Sequence, residues 1–198
     1  MLFNLCGVEG AEHRYEYLRE ANIESGVADL EAAEIFHYRA IHFRFRAETG
    51  RRGADYDIEA FFEIPIACES KCKLETTRLT AKTVTETLDV ARGQLPTDRP
   101  GLVFLRLPEP WVLDAPMQQL IDDGIHTMFR KTGRISAVIV HWREWQPHAS
   151  EGAVALVKSR AKINPSARHS AVALAEAVRQ MQVVAGPWRR FSDIFKGR

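Results

Sequence analysis

The chain contains little of what usually marks a specialised class of protein. Its 198 residues include three cysteines, and its net charge is +1. The one closely spaced pair, Cys68 and Cys72, lacks the further ligands that a zinc site needs. Because the overall charge is nearly neutral, a nucleic-acid binder of this composition must gather its basic residues on one face.

Apolar runs of membrane-spanning length are missing from the sequence as well. No run approaches the ~20 residues that a transmembrane helix needs, and the first four residues lack the charged start of a signal peptide. We therefore expect a cytoplasmic protein with no membrane association. The sequence also lacks a Ser-His-Asp order, a phosphate-binding glycine loop and a dinucleotide fingerprint, so those chemistries have no support.

What the sequence does contain is the composition of an ordinary globular protein. Hydrophobic residues make up 45% of the chain and charged residues 27%, and a chain of this length buries a sizeable core. We predict an N-terminal lead-in over residues 1–26, an α/β core over 27–145 and a helical extension over 146–198.

Hydrophobic periodicity predicts the elements of the core. Strict alternation over residues 41–46 is the strongest strand signal. Further strands are predicted over 57–63, 64–73, 102–107 and 135–142, and helices over 27–38, 76–94, 117–131 and about 166–183. Three hairpin-linked strands followed by helical crossovers predict an α/β fold with a mixed central β-sheet flanked by helices, in the order αβββαβαβ.

Polar residues with a possible joint role surround the predicted hairpin. Glu69 and Lys71 lie on one face of its second strand, and a short turn brings Asp57 alongside them. Two carboxylates and a lysine suit metal-assisted phosphodiester cleavage, which needs oxygen ligands for a divalent cation and a positive charge near the attacking water. The alternatives are a solvated strand face for Glu69 and Lys71, and a turn that contains Asp57. We prefer Asp55 as the turn residue.

This arrangement resembles the PD-(D/E)XK nuclease superfamily, whose motif is an Asp on one strand followed by Glu or Asp, any residue, and Lys on the next. Here Asp57, Glu69 and Lys71 match the motif, and Tyr56 stands in place of its Pro. The resemblance covers residues 27–107. It implies a restriction-endonuclease-like fold that hydrolyses DNA or RNA, with Mg²⁺ (or Mn²⁺) held by the two carboxylates and Lys71 acting on the attacking water or the pentacovalent phosphate.

The resemblance also implies a further carboxylate from the first core helix. Glu31 and Glu34 lie one helical turn apart there, and we rank Glu31 slightly ahead as the metal ligand and catalytic residue. The ordinary alternative for either residue is a solvated position on the helix surface.

Basic residues near the motif are candidates for binding nucleic acid, most simply DNA. Arg44 and Arg46 lie on the polar side of the strand over 41–46, and Lys73 and Arg78 follow the motif. An equally good alternative is that an edge strand carries charge to prevent aggregation. For the tryptophans near the end of the strand over 135–142, core packing or a subunit contact is favoured over base stacking.

Two functions remain open from the sequence. The first is a metal-dependent nuclease, for which cutting both strands of a duplex suggests a homodimer or a larger complex. The second is a catalytically silent module on the same fold that binds a protein or nucleic acid. The near-neutral charge favours the second.

Overall fold

The computed structural model of the chain describes residues 2–20, 23–148, 152–177 and 182–184. The helices in these ranges are α1 (Leu2–Leu5), α2 (Ala11–Glu20), α3 (Ile23–Tyr38), α4 (Ala81–Gln94), α5 (Glu109–Leu113), α6 (Ala115–Lys131) and α7 (Val172–Ala177). The strands are β1 (His42–Phe45), β2 (Ile58–Phe61), β3 (Pro65–Cys72), β4 (Gly101–Arg106), β5 (Ile135–His148), β6 (Gly152–Ile163) and β7 (Gln182–Val184).

These strands form one mixed sheet in which neighbours follow chain order. The pairs β1–β2 and β2–β3 are antiparallel, β3–β4 and β4–β5 are parallel, and β5–β6 and β6–β7 are antiparallel. Parallel neighbours need a crossover connection, which α4 supplies before β4 and α6 supplies before β5. The predicted mixed α/β class is confirmed, and the core elements follow the predicted order.

Two apolar cores hold the helices against opposite faces of the sheet. On one face, α3 and α7 pack against side chains such as Ile66, Cys68 and Phe104. On the other face, α4 and α6 pack against alternate strand residues such as Ala67 and Val103. Because β3 is covered on both sides, the polar residues near its end are buried or half-buried in protein.

The C-terminal part of the chain differs from the predicted helical extension. Residues 152–163 form β6, and within the helix predicted over about 166–183 the described residues form the short α7 and the start of β7. In β6, Lys158, Arg160 and Lys162 alternate with small or apolar residues. That period-two pattern is typical of a strand with one polar face, and the long pairing with β5 stabilises it.

The β5–β6 hairpin extends beyond its neighbours. Pairing of β4 with β5 ends at Arg106 and His141, whereas β5 and β6 remain paired as far as His148 and Gly152. We call residues 142–148 and 152–158 the β5–β6 arm. The arm leaves the sheet at the carboxyl ends of the parallel strands, which is the edge where β3 also ends.

Candidate functional site

Asp57 lies directly before β2 and closes the end of the β2–β3 ladder. Its backbone N–H donates to the carbonyl of Cys68 at 3.1 Å, and its Oδ2 accepts the backbone N–H of Ser70 at 2.8 Å. Since β3 continues past the start of β2, the Asp57 carboxylate takes the place of a strand partner for that N–H. The position of Asp57 is therefore fixed by the register of the hairpin.

Glu69 and Lys71 lie beside Asp57 near the end of β3. The Lys71 ammonium forms an ion pair with Glu69 Oε1, and Glu69 is only 1% exposed. Its second oxygen, Oε2, is buried without a hydrogen-bond partner among the described residues. Burial and the neighbouring charge of Asp57 raise the pKa of Glu69, although Lys71 opposes the shift. The structure thus brings the three motif residues together.

Two residues that the sequence analysis did not select complete this group. Arg14 of α2 donates from Nη1 to Asp29 Oδ2 and from Nη2 to Asp57 Oδ1, each at 3.0 Å. The same Nη2 lies 3.2 Å from the carbonyl oxygen of Arg46 and 3.3 Å from that of Asp57. Arg14 is buried, as is Asp29 of α3. One guanidinium therefore bridges the helix carboxylate and the motif aspartate.

Burial and charge act against each other in this group. Burial raises the pKa of Asp29 well above its ordinary value, the charge of Asp57 adds to the shift, and Arg14 and Lys71 oppose it. For Arg14, burial lowers the pKa, but the neighbouring carboxylates, first of all Asp57 and Asp29, together outweigh it and the net shift is upward. We call Asp29, Asp57, Glu69, Arg14 and Lys71 the Asp57 cluster, in which three carboxylates meet two cations.

The glutamates predicted on the first core helix lie elsewhere. Glu31 is fully buried and contacts Arg106 Nε and Arg143 Nη2, each at 2.9 Å. Glu34 is buried too, and burial raises its pKa. The carboxylate of α3 that reaches Asp57 through a shared arginine is Asp29. Residues two apart on a helix point in nearly opposite directions, so Asp29 and Glu31 serve different parts of the sheet.

Asp55, preferred from the sequence as the turn residue, lies in the loop after the turn at Arg52 and Gly53, and its side chain bonds to the residues before that turn. Its Oδ1 accepts hydrogen bonds from Thr49 Oγ1 at 2.9 Å and from the Gly50 N–H at 3.1 Å. The Thr49 backbone N–H donates to the same oxygen. That bond and the two others lower the pKa of Asp55.

The predicted nucleic-acid contacts are not equally available. Arg44 on the edge strand donates from Nε to the buried Glu59 at 2.8 Å, and Arg46 lies over the Tyr56 ring, with Cζ 5.5 Å from its centroid. The remaining two follow β3: Lys73 is half-buried and Arg78 is exposed. The charge of Arg44 is therefore largely offset by its partner.

Within the described ranges, no group of three or more His, Cys, Asp or Glu side chains is arranged to hold a metal ion. The Arg14 guanidinium lies between two of the three carboxylates of the Asp57 cluster.

None of the described helices has the length and apolar character that crossing a bilayer requires. Comparison with protein-family models, curated proteins and solved structures gives no match.

Proposed function

We propose that this chain is a metal-dependent nuclease, or a nuclease-like protein, with a restriction-endonuclease-like fold. One observation carries the proposal. Asp57, Glu69 and Lys71, which the motif predicts to share a site, lie together where β2 begins and β3 ends, beside a carboxylate of the helix that precedes the three-stranded meander. The meander, the α4 crossover and the parallel β3–β4 pair support the fold assignment.

The donor set fits a hard divalent cation in its chemistry. Carboxylate oxygens are the ligands that Mg²⁺ prefers, and Asp57 and Glu69 lie close enough for the charge of one to raise the pKa of the other. Asp57 and Glu69 would hold Mg²⁺ or Mn²⁺, which acts on phosphodiesters as a Lewis acid and activates bound water.

Lys71 has the position to act on the reacting groups. Its side chain is three-quarters buried and its ammonium is already held beside Glu69. A cation in a partly dry site stabilises negative charge that develops on a phosphate more strongly than the same cation in water. Lys71 thus orients the attacking water or stabilises the pentacovalent phosphate of DNA or RNA.

Arg14 determines whether this site is open. The guanidinium engages Asp57 Oδ1, so a cation that binds that oxygen requires Arg14 to move away from it. The same contact favours a second candidate, a catalytically silent module of this fold in which Arg14 replaces the metal as counter-charge. A homodimer or a larger complex in the cytoplasm is compatible with both candidates.

The test is cleavage of a mixture of DNA and RNA by purified protein in Mn²⁺ or in EDTA. The Lys71→Ala and Glu69→Gln variants are compared with Lys82→Ala, which removes an exposed lysine on α4. We expect metal-dependent cutting by the native protein and the Lys82 variant, and none by the two site variants. Cutting that persists in both site variants overturns the assignment.

Calorimetric titration of Mn²⁺ separates the two candidates if no cutting is seen. A silent module does not bind the ion in native form, because Arg14 supplies the positive charge. Binding that is lost in Glu69→Gln supports the nuclease site, and binding that is unaffected by that variant rules out the Asp57 cluster as the metal site.

A further inference from the structure

A second charged cluster at the same edge of the sheet has the opposite charge balance. Glu31 accepts from Arg106, at the end of β4, and pairs with Arg143, on the β5–β6 arm. His141 Nδ1 lies 3.7 Å from Glu31, but burial lowers the pKa of this histidine to about 4, so it is neutral near pH 7. Two guanidiniums therefore share the Glu31 carboxylate, and the charge of Arg143 also acts on Glu34 of the same helix.

Arg106 keeps donors available for a ligand, and the Arg143 side chain is partly exposed beside it. Arg106 contacts Glu31 through Nε, and neither of its Nη groups bonds to a described residue; Arg143 contacts Glu31 through Nη2. The side chains are 26% and 21% exposed, so each guanidinium is held from one side and partly reaches solvent on the other. Planar guanidinium groups held in this way suit the oxygens of a phosphate.

The pair lies close to the end of β3. Arg106 is in register with Cys72 on one side and with His141 on the other, and its carbonyl accepts the Lys73 N–H at 3.0 Å. Neighbouring strands are about 4.8 Å apart. Arg106 therefore lies at the same end of the sheet as the Asp57 cluster, on the face that α3 covers.

An exposed aromatic side chain follows on the arm. Trp145 is two residues after Arg143 and so lies on the same side of β5, about 7 Å further along the strand. It is 52% exposed, whereas Trp142 is half-buried against the core formed with α4 and α6. An exposed indole next to a cationic pair suits stacking on a nucleic-acid base.

We propose that Arg106 and Arg143, oriented by Glu31, bind a backbone phosphate of single-stranded nucleic acid, and that Trp145 stacks on a neighbouring base. This inference rests on the proposed function for the class of ligand. It assigns binding to the carboxyl ends of β4 and β5, and it does not require the metal or the chemistry of the Asp57 cluster.

The experiment measures binding of a fluorescein-labelled single-stranded oligonucleotide by anisotropy in EDTA, over a series of salt concentrations. Removing both arginines alone would leave Glu31 buried and unpaired, so the test variant is Glu31→Gln/Arg106→Gln/Arg143→Gln, with Glu31→Gln as its matched control. We expect the triple variant to bind about tenfold more weakly. Its affinity should also depend less on salt, because at least one phosphate contact is lost and each contact contributes about 0.7 to the slope of log K against the logarithm of the salt concentration. The Glu31→Gln control should lose less affinity than the triple variant, because Arg106 and Arg143 keep their charges and lose only the carboxylate that orients them.

Trp145 gives an independent readout. Trp145→Ala should weaken binding about tenfold without changing the salt slope, and Trp145→Phe should restore most of the loss. Arg130→Gln, an exposed arginine on α6, should bind like the native chain. Native affinity in both the triple variant and Trp145→Ala overturns the inference. Displacement of the oligonucleotide by inorganic phosphate at equal concentration overturns it as well, because the site would then serve a free anion.

Failure of this inference differs from failure of the proposed function. Cleavage that depends on Lys71, together with native binding by the triple variant, rejects the phosphate site alone. Oligonucleotide binding that depends on Arg106, Arg143 and Trp145, without metal-dependent cutting, supports the phosphate site and rejects the nuclease.

Discussion

Helix α3 supports two buried charged clusters that differ in their balance of acids and bases. Asp29 belongs to the Asp57 cluster, where three carboxylates meet Arg14 and Lys71. Glu31, two residues further on, pairs with Arg106 and Arg143. Among the residues paired in these contacts, one cluster has more acid than base and the other has more base than acid, although both are anchored on one helix.

The difference shows what each cluster lacks. A buried carboxylate is costly unless its charge is balanced, so the acid-rich cluster is improved by a further cation. The base-rich cluster, by the same reasoning, is improved by an anion. A divalent metal at the first and a phosphate at the second would satisfy both, and these are the two ligands that a phosphodiester-cleaving protein must bring together.

The largest expected effect is on the rate of cleavage. Variants of the two clusters should change different kinetic constants, the single-turnover rate for one cluster and KM for the other. Lys71→Ala should lower the single-turnover rate about 100- to 1,000-fold, as removal of one charge-stabilising group does in other enzymes. Arg143→Lys keeps the charge beside Glu31 and should mainly raise KM, because it weakens a ground-state contact. The reverse assignment, with Arg143→Lys lowering the rate and Lys71→Ala raising KM, would contradict the division of roles.

The next effect concerns stability and Arg14. Arg14→Gln leaves Asp29 and Asp57 buried without their shared cation, which should cost about 3–5 kcal/mol in the free energy of unfolding. Chemical denaturation measures the loss. Adding Mn²⁺ should restore part of it, because a bound cation stabilises the folded state by mass action.

The matched control for this prediction is Arg14→Gln/Asp29→Asn, which removes one charge of each sign. We expect the double variant to lose less stability than Arg14→Gln. Equal losses in both, with no effect of Mn²⁺, would show that Arg14 acts through its backbone contacts and not as a substitute for a metal ion.

The third effect is a dependence of stability on acid pH, which arises in the base-rich cluster. The pKa of His141 is lowered from 6.5 to about 4, so between these values the unfolded chain binds a proton that the folded chain does not. Stability from this group is present above pH 6.5 and is lost as the pH falls through about 4, in total roughly 3 kcal/mol. Denaturation of His141→Gln between pH 7 and 4 should show a flatter profile than the native chain.

The fourth effect has the opposite sign and arises in the Asp57 cluster. Because the pKa of Glu69 is raised, the folded chain binds the extra proton, and this contribution is present below the ordinary glutamate value and is lost as the pH rises above it. Glu69→Gln should therefore lose less stability than the native chain between pH 5 and 8. A steeper loss in the variant would mean that the Lys71 ion pair dominates the titration.

Much of the fold was accessible from the sequence because local patterns coincide with the tertiary arrangement. Alternation over residues 41–46 predicted β1, and the apolar run before Glu69 predicted a strand buried on both faces, as β3 is. The strand β6 was not predicted. Lys158, Arg160 and Lys162 alternate there with small or apolar residues, but the long pairing with β5 that stabilises the strand is a non-local interaction.

The acid-rich site was predictable only in part. The spacing of Asp57, Glu69 and Lys71 follows from a hairpin register, which is a local property. Neither the choice of α3 carboxylate nor the presence of Arg14 is local, because both depend on the rotation of α3 about its axis and on how α2 packs against it. Asp29 also lies in a largely apolar and alanine-rich stretch, which gave it no distinctive signal beside the two glutamates that follow.

The sequence by itself determined which chemical groups are available and which of them share a strand. Alternation and spacing act over a few residues, and this is the range over which backbone geometry fixes the direction of a side chain. Only the tertiary structure decided that Arg14 balances two aspartates, 15 and 43 residues away, and that Glu31 holds arginines from β4 and β5. Those pairings are set by packing, because burial in a common core makes each lone charge costly enough to require a partner.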